Sequence, residues 1–554
     1  MLKLSNFKFK LEYVSKGKKQ FADKGPFTLN AIDVSDDRLK VSIFPKEKIE
    51  LKRAVFEYDF EFDSLDKIFV NGYQSWTTSR EYSVSDKQLG LRNIARPKGI
   101  VRAFAATCGD YDFTRYGGRG FFHSFTYGYI RNNEDVFLIG SMSERSGYTI
   151  IYYDVKNQKI LIEKDLEGLT IDTEYKLIDV RSFVGGYDEV FDAYFAELKL
   201  PELKVNHLAG YTSWYNYFQQ IDEKIITRDL DALIACKSQA NIFQIDDGYE
   251  SKVGDWLELD KKKFPSGLRQ ISDKAHANNL MAGLWVAPFS AEFKSKTAKE
   301  HPEWLVRKNG KKVIGGFAWG GFYIIDFEIP EVREYIKKVF DTVFDEWAFD
   351  MVKLDFLYSA CYVPRNNKTR GQLMCEAMDF LRECCRDKLI LGCGVPLGPS
   401  FGKVDACRIS CDVELSFKDK FYTKCTNQEV ISAKNAMNNS IFRRHLNHRV
   451  FLNDPDVFFL RDDGKKVPKF TWDQKMLLAT VNNMFGSVLF VSDNIANYDN
   501  LKLQKLYETF KPFDGKIKMC EYVDSKHIKI DYNQAGVDYS MIYNIFTGDS
   551  KITK

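Results

Sequence analysis

From about residue 205 to residue 510, short apolar runs alternate with longer amphipathic ones, and this alternation limits the fold more than any other feature. The apolar runs cover residues 207–214, 241–247, 281–288, 350–356, 389–395, 406–413, 450–456 and 487–493. Each reads as a strand. Between most of them lie amphipathic segments, such as Pro330–Glu346, Arg370–Arg386 and Gln428–Asn447. Eight strands alternating with helices over roughly 300 residues predict an α/β fold closed as a (β/α)8 TIM barrel. An open doubly wound sheet is the rival, but it would place a glycine-rich phosphate turn after the first strand. Gly210-Tyr211-Thr212-Ser213-Trp214 is no such turn, and Gly392-Cys393-Gly394 is too short for a dinucleotide fingerprint.

A chain of 554 residues exceeds one compact core, so flanking domains are expected. Residues 1–200 hold short strand patterns, for example residues 7–13, 54–60 and 148–153, which predict an N-terminal β-sandwich. A predicted helix over Asp188–Leu198, followed by Pro201, sets the boundary, so the barrel is expected over 201–512. Strand patterns at 516–522, 527–532 and 539–546 predict a small C-terminal β domain over 513–554. So few residues hold little core alone, and the domain should dock on the barrel.

The 80 basic and 77 acidic residues are mixed throughout, giving a formal charge of +3. No electrostatic footprint for nucleic acid or an anionic membrane results. No run of eighteen apolar residues occurs, and the first ten residues lack a signal-type apolar stretch. Eleven cysteines, an odd number without a paired framework, fit reduced thiols. A soluble, cytoplasmic protein is expected, with its oligomeric state left open.

Four of the strand patterns end in acids: Asp246-Asp247, Asp355, Asp412, and Asp454 with Asp456. On a barrel of this type, reactive groups sit where strands end at the carboxyl-terminal face. Carboxylates there serve to bind a divalent metal, to hold sugar hydroxyls, or to act as nucleophile and acid. The metal role is the weaker one: only seven histidines occur, and none forms a zinc-type pair beside these acids. No metal or cofactor is required. Side chains alternate along a strand, so Lys353 shares a face with Asp355, and Arg408 with Asp412. A nearby cation lowers a carboxyl pKa, so Lys353 is expected to keep Asp355 ionised, as a nucleophile must be. A barrel-interior salt bridge explains the same spacing. The apolar and sulfur residues before Asp412 are expected to raise its pKa and suit it to general-acid work, with Arg408 opposing that shift. Trp76, Trp214 and Trp285 offer faces that stack on sugars, or that simply fill a core.

The ordered motifs resemble glycoside hydrolase family 36, the α-galactosidase (melibiase) family of clan D. They are Gly210-Tyr211-Thr212-Ser213-Trp214-Tyr215, Phe243-Gln244-Ile245-Asp246-Asp247-Gly248-Tyr249, Val253-Gly254-Asp255-Trp256 and Gly283-Leu284-Trp285-Val286-Ala287-Pro288-Phe289. Val352-Lys353-Leu354-Asp355-Phe356, Gly392-Cys393-Gly394, Arg408-Ile409-Ser410-Cys411-Asp412 and Leu452-Asn453-Asp454-Pro455-Asp456 continue the series. Asn71-Gly72-Tyr73-Gln74-Ser75-Trp76 resembles the family's loop over the active site.

The resemblance implies roles by position. Asp355 matches the nucleophile and Asp412 the general acid/base. Asp246 and Asp247 match the pair that grips O4 and O6 of galactose, and Lys353 and Arg408 match hydroxyl ligands. Trp214 and Trp285 match pocket walls, Trp76 the lid, and Cys393, more loosely, a contact near O2. Ser410-Cys411 departs from the family pattern before the acid/base, and Trp319 is expected to shape an aglycone subsite. The activity implied is retaining hydrolysis of terminal α-galactosides in oligosaccharides such as melibiose and raffinose. Rival readings are an α-N-acetylgalactosaminidase, a raffinose-type transglycosylase, a non-catalytic sugar-binding protein, or a metal-dependent lyase or isomerase.

Overall fold

The computed structural model describes residues 2–97, 99–420 and 428–554. All eight expected barrel strands form: β1 (Leu208–Thr212), β2 (Ile242–Ile245), β3 (Met281–Val286), β4 (Met351–Leu354), β5 (Leu389–Gly392), β6 (Ala406–Arg408), β7 (Leu452–Asp454) and β8 (Val488–Val491). Neighbours in sequence pair in parallel from β1 to β7, and β8 pairs with β1. Between β7 and β8 the gap is bridged by the Ser487 N–H, which donates to the Asn453 carbonyl at 3.0 Å. The barrel is nearly closed.

The strands are shorter than their apolar runs, because the runs continue into buried loops at the carboxyl-terminal face. The run over 406–413 shows this most clearly: β6 stops at Arg408, and residues 409–412 leave the sheet. Helices Glu223–Ala235, Arg269–His276, Pro330–Asp341, Arg370–Cys385, Ala433–Phe442, Trp472–Phe485 and Asn500–Phe510 cover the outside. Between β5 and β6 only the single turn Leu397–Ser400 stands where a helix would otherwise lie. Between β3 and β4 a small antiparallel sheet of Ser290–Glu292, Phe322–Ile324 and Ile314–Gly316 projects above the barrel and carries Trp319 in a tight turn.

Ahead of the barrel, a six-stranded and a seven-stranded antiparallel sheet face each other across an apolar core of their own. Helix Tyr187–Glu197 then leads into the barrel. After the barrel, the three expected C-terminal strands form, joined by a fourth, Ser550–Thr553. That last strand is exposed throughout, so it carries no apolar alternation to reveal it. No helix among the described residues is long and apolar enough to cross a membrane.

One hairpin of the sandwich carries Trp76 to the barrel. Lys67–Val70 pairs antiparallel with Arg80–Ser83, and the loop between them holds Trp76. This loop is clamped rather than free. The Ser75 N–H donates to the Val395 carbonyl (2.9 Å), and the Thr78 N–H donates to that of Gln428 (3.0 Å). Buried Arg443, on the helix side of β7, donates to the carbonyls of Ser75 (2.6 Å), Gln74 (3.0 Å) and Ile409 (2.8 Å) and to Asn71 Oδ1 (3.1 Å). Among the described residues no carboxylate pairs with it, and burial pushes its pKa down to about 10. The guanidinium is held for its fan of donors, which satisfy loop carbonyls that cannot reach water. Arg443→Met should therefore leave several buried acceptors unpaired and cost about 3 kcal/mol or more. Urea unfolding would measure this, and an unchanged midpoint would show that the clamp is redundant.

Candidate active site

The strand ends and the loops above them bring most of the expected residues into one cluster. At the end of β2, the backbone turns so that both Asp246 and Asp247 stay buried. Asp246 Oδ2 accepts from Lys353 Nζ (2.8 Å) and Gln244 Nε2 (2.9 Å), while Oδ1 accepts from the Asp247 N–H (3.0 Å). Asp246's own N–H donates to Ser213 Oγ (2.9 Å). Asp247 accepts from Gln219 Nε2 (3.0 Å to Oδ1) and from Trp319 Nε1 (2.7 Å to Oδ2).

Lys353 differs from expectation. Its ion-pair partner is Asp246 across the barrel, not Asp355 on its own segment. Burial works against the Lys353 charge, yet Asp246, Cys393 and Asp355 together hold its pKa above the ordinary value.

Asp355 follows directly on β4 and is 8% exposed. Its Oδ1 accepts the Phe356 N–H (2.8 Å), and its Oδ2 accepts from Trp285 Nε1 (3.1 Å). Burial raises its pKa, the Asp412 charge adds to the rise, and Lys353 and the Trp285 donor oppose it. The expected lowering by Lys353 is real but outweighed by desolvation. Phe356 holds a left-handed φ of 53°, strain that turns the chain so that its N–H points back at Asp355. Gly394, after β5, makes the room for this turn. A Cβ there would lie 2.9 Å from the Trp76 ring and 3.1 Å from Phe356 N, and its φ of +57° strains any other residue.

Asp412 does not lie on a strand beside Arg408. It sits in the loop past β6, with its side chain 34% exposed rather than sealed in an apolar run. The pairing with Arg408 survives: Nη2 donates to Asp412 Oδ1 at 2.8 Å. Arg408 also holds Asp456 and Tyr215, whose hydroxyl donates to Asp456 in turn. Burial pushes the Asp456 carboxyl up to about 7 against the Arg408 charge.

Aromatic rings enclose the acids. Trp285 meets Trp319 edge-on at 5.9 Å, Trp319 meets Phe356 at 4.9 Å, and Trp76 meets Phe356 at 5.3 Å. Trp76 Nε1 donates to the Cys393 thiol at 3.4 Å. Two tryptophans stand apart from expectation. Trp214 begins a helical turn beyond β1 and packs edge-on against Phe218; its neighbour Ser213 is what touches the acid cluster. Trp319, expected near a leaving group, instead donates to Asp247. Gln219, Gln244, Tyr215 and Asp456 are further members that the sequence reading did not select. Gln244, Tyr215 and Asp456 carried a signal as parts of quoted motifs, and Gln219 carried none.

Beneath the Trp76 loop lies a buried acid outside the cluster. Glu429 Oε1 accepts from Thr77 Oγ1 (2.9 Å) and Oε2 from Tyr111 (2.7 Å). Burial, with a smaller push from Asp110, raises its pKa from 4.5 to about 7, although the two hydroxyl donors oppose the rise. The folded chain thus binds this proton more tightly than the unfolded one. Its stabilising contribution is complete below pH 4.5 and is lost as pH rises to about 7. Glu429→Gln should flatten that slope by about 3 kcal/mol over the interval, checked by urea unfolding at a series of pH values. An identical slope in the variant would exclude Glu429 as its source.

With this geometry in place, known proteins offer a comparison. Residues 214–375 match the family model described as Melibiase. The alpha-galactosidase Mel36A of Lactobacillus acidophilus is 32% identical over 128 residues, which are 22% of this chain and 17% of that protein. The matched stretch thus spans less than a fifth of that relative's own length. The fold is similar to that of TtGalA, an alpha-galactosidase from Thermus thermophilus solved with p-nitrophenyl alpha-D-galactopyranoside. There the TM-score is 0.71 at 22% identity, covering 94% of this chain and 97% of that one. The GH36 alpha-galactosidase AgaA of Geobacillus stearothermophilus gives 0.62 at 12% identity, over 96% and 80% of the two chains.

Proposed function

We propose that this chain, a member of the melibiase family, is a retaining α-galactosidase that frees terminal α-galactosyl residues from oligosaccharides such as melibiose and raffinose. The observation that carries the reading is the division of surroundings between two acids in one cluster. Asp355 is buried and held by two N–H donors, whereas Asp412 is open to solvent on one side and sensed by Asp355 electrostatically. The catalytic barrel is placed at residues 201–512.

In the first step Asp355 attacks the anomeric carbon as a carboxylate. The Trp285 and Phe356 N–H groups aim its lone pairs, and Lys353 and the Trp285 donor favour its ionised form against burial. Asp412 gives its proton to the departing oxygen. Its exposed flank is the side on which a leaving group finds room. Having given up that proton, Asp412 begins the second step as a carboxylate. It takes a proton from water, which releases galactose with its α configuration kept.

Asp246 and Asp247 are assigned to the O4 and O6 hydroxyls. Both are acceptors already oriented by N–H donors, which favours a sugar whose hydroxyls fit and penalises isomers that leave them unpaired. Lys353 and Arg408 are assigned as further hydroxyl ligands, and Trp285 and Trp76 as walls. Trp76 donates to Cys393 near the assigned O2 position, a contact that a 2-N-acetyl group would have to displace. Galactosides are therefore expected to outrun N-acetylgalactosaminides. A cytoplasmic location fits the ten free thiols among the described residues.

Melibiose hydrolysis followed by anomer-resolved product analysis should yield α-galactose first; β-galactose would overturn the retaining mechanism. Asp355→Gly should abolish turnover, with azide restoring it as a β-galactosyl azide. Asp412→Asn should slow melibiose about 10²–10⁴-fold but affect p-nitrophenyl galactoside much less, because that leaving group needs little protonation. Equal losses on both substrates would refute the acid role. A chelator should leave the rate unchanged, and loss of activity would point to the metal-dependent alternative.

A further inference from the structure

Asp247 touches a second acid that the proposed mechanism leaves without a task. Glu250 lies three residues on and is 5% exposed, against 2% for Asp247, and the two carboxyl groups hydrogen-bond to each other. Such a bond between two acids needs one proton between them, because two buried carboxylates in contact repel. The donors decide which acid keeps it. Asp247 already accepts from Gln219 at both oxygens (3.0 and 3.1 Å) and from Trp319 (2.7 Å), so negative charge is best placed there. Glu250 accepts one long bond, from the Gly248 N–H at 3.3 Å.

We infer that Glu250 is a positioning residue: it stays a neutral acid and donates its proton to Asp247, fixing the sugar-gripping carboxylate as an oriented anion. The inference rests on the assignment of Asp247 to the sugar. Three donors from three separate elements then converge on Asp247: the Gln219 loop, the Trp319 turn and the Glu250 segment.

The surrounding charges agree. Burial, followed by the Asp247 charge, raises the Glu250 pKa well above the carboxylate range. Asp246 adds negative charge on the other side of Asp247 but is neutralised by Lys353. The nearest lysines are engaged elsewhere. Lys263 Nζ donates to the Gly248 and Gln219 carbonyls (2.9 and 2.8 Å), and Lys252 pairs with Glu292 at 3.3 Å. Tyr249, between the two acids in sequence, is buried and has its pKa raised, so it remains neutral.

The test measures kcat and KM for p-nitrophenyl α-galactoside against pH in the wild type, E250Q, E250A and D247N, with thermal melts alongside. Gln retains a donor to Asp247, so E250Q should keep KM within about twofold of the wild type. E250A should raise KM about tenfold or more. Wild-type KM should climb at alkaline pH, where Glu250 loses its proton, and E250Q should lack that climb. Infrared difference spectra should show a protonated-carboxyl C=O band in the wild type that is absent from E250Q. In the wild type alone, galactose should shift that band, a readout independent of how the variants fold. E250Q and E250A with the same raised KM, or a band that galactose does not move, would overturn the inference. D247N with unchanged KM would instead undo the assignment of Asp247 to the sugar.

Discussion

The ion pair between Lys353 and Asp246 is the contact on which the cluster depends. Neither group would be tolerated alone at the top of a packed barrel, since an isolated buried charge costs far more than a hydrogen bond returns. Paired at 2.8 Å, they fix the ends of β2 and β4 relative to each other, with β3 between them. That spacing sets where Asp247 and Asp355 stand, because Asp355 follows directly on β4 and Asp247 lies two residues past the end of β2. The positive charge is then shared: Lys353 neutralises Asp246 directly and steadies Asp355 at longer range. A second cation, Arg408, does the same for Asp412 and Asp456 across the barrel. Each cation thus serves two acids of the cluster.

The roof of the site follows a different logic. It comes from the sandwich, as a hairpin loop whose carbonyls are consumed by Arg443 and whose hydroxyl Thr77 is consumed by Glu429. Such satisfaction of the loop's backbone carbonyls makes it part of the barrel wall, although it arrives from another sheet. Trp76 is then held against Phe356 and Cys393, and Gly394 keeps the space open for both. Enclosure therefore does not need a moving lid.

Much of this was legible in the sequence, for reasons that differ from one residue to the next. The barrel strands announced themselves because strands covered by helices on one side and packed side chains on the other are apolar throughout. Acids at their ends stood out against that background, which is how Asp246, Asp247, Asp355 and Asp412 were found. What failed was the extension of strand geometry beyond the strand. Face-sharing at even spacing paired Lys353 with Asp355, yet the chain turns at Asp355, and Lys353 reaches Asp246 on β2 instead. The same assumption buried Asp412, which the early end of β6 exposes. Gln219 and Glu250 gave no signal, because a polar residue in a loop looks the same whether it faces water or a carboxylate.

The early end of β6 is what separates the two acids chemically. Had residues 409–412 continued the strand, Asp412 would point into the barrel beside Arg408, as closed to solvent as Asp355. Two sealed acids of like charge would compete for one proton with no water to hand. By leaving the sheet at Arg408, the chain carries Asp412 to a position where one oxygen keeps its guanidinium partner and a third of the side chain meets solvent. Ser410 holds the detour locally, since its hydroxyl bonds to the Pro455 and Cys411 carbonyls. A residue without a hydroxyl would leave those groups to find other partners. The departure at Ser410-Cys411 thus becomes a means of shaping the loop, and it leaves Asp412 in contact with solvent while Asp355 stays buried.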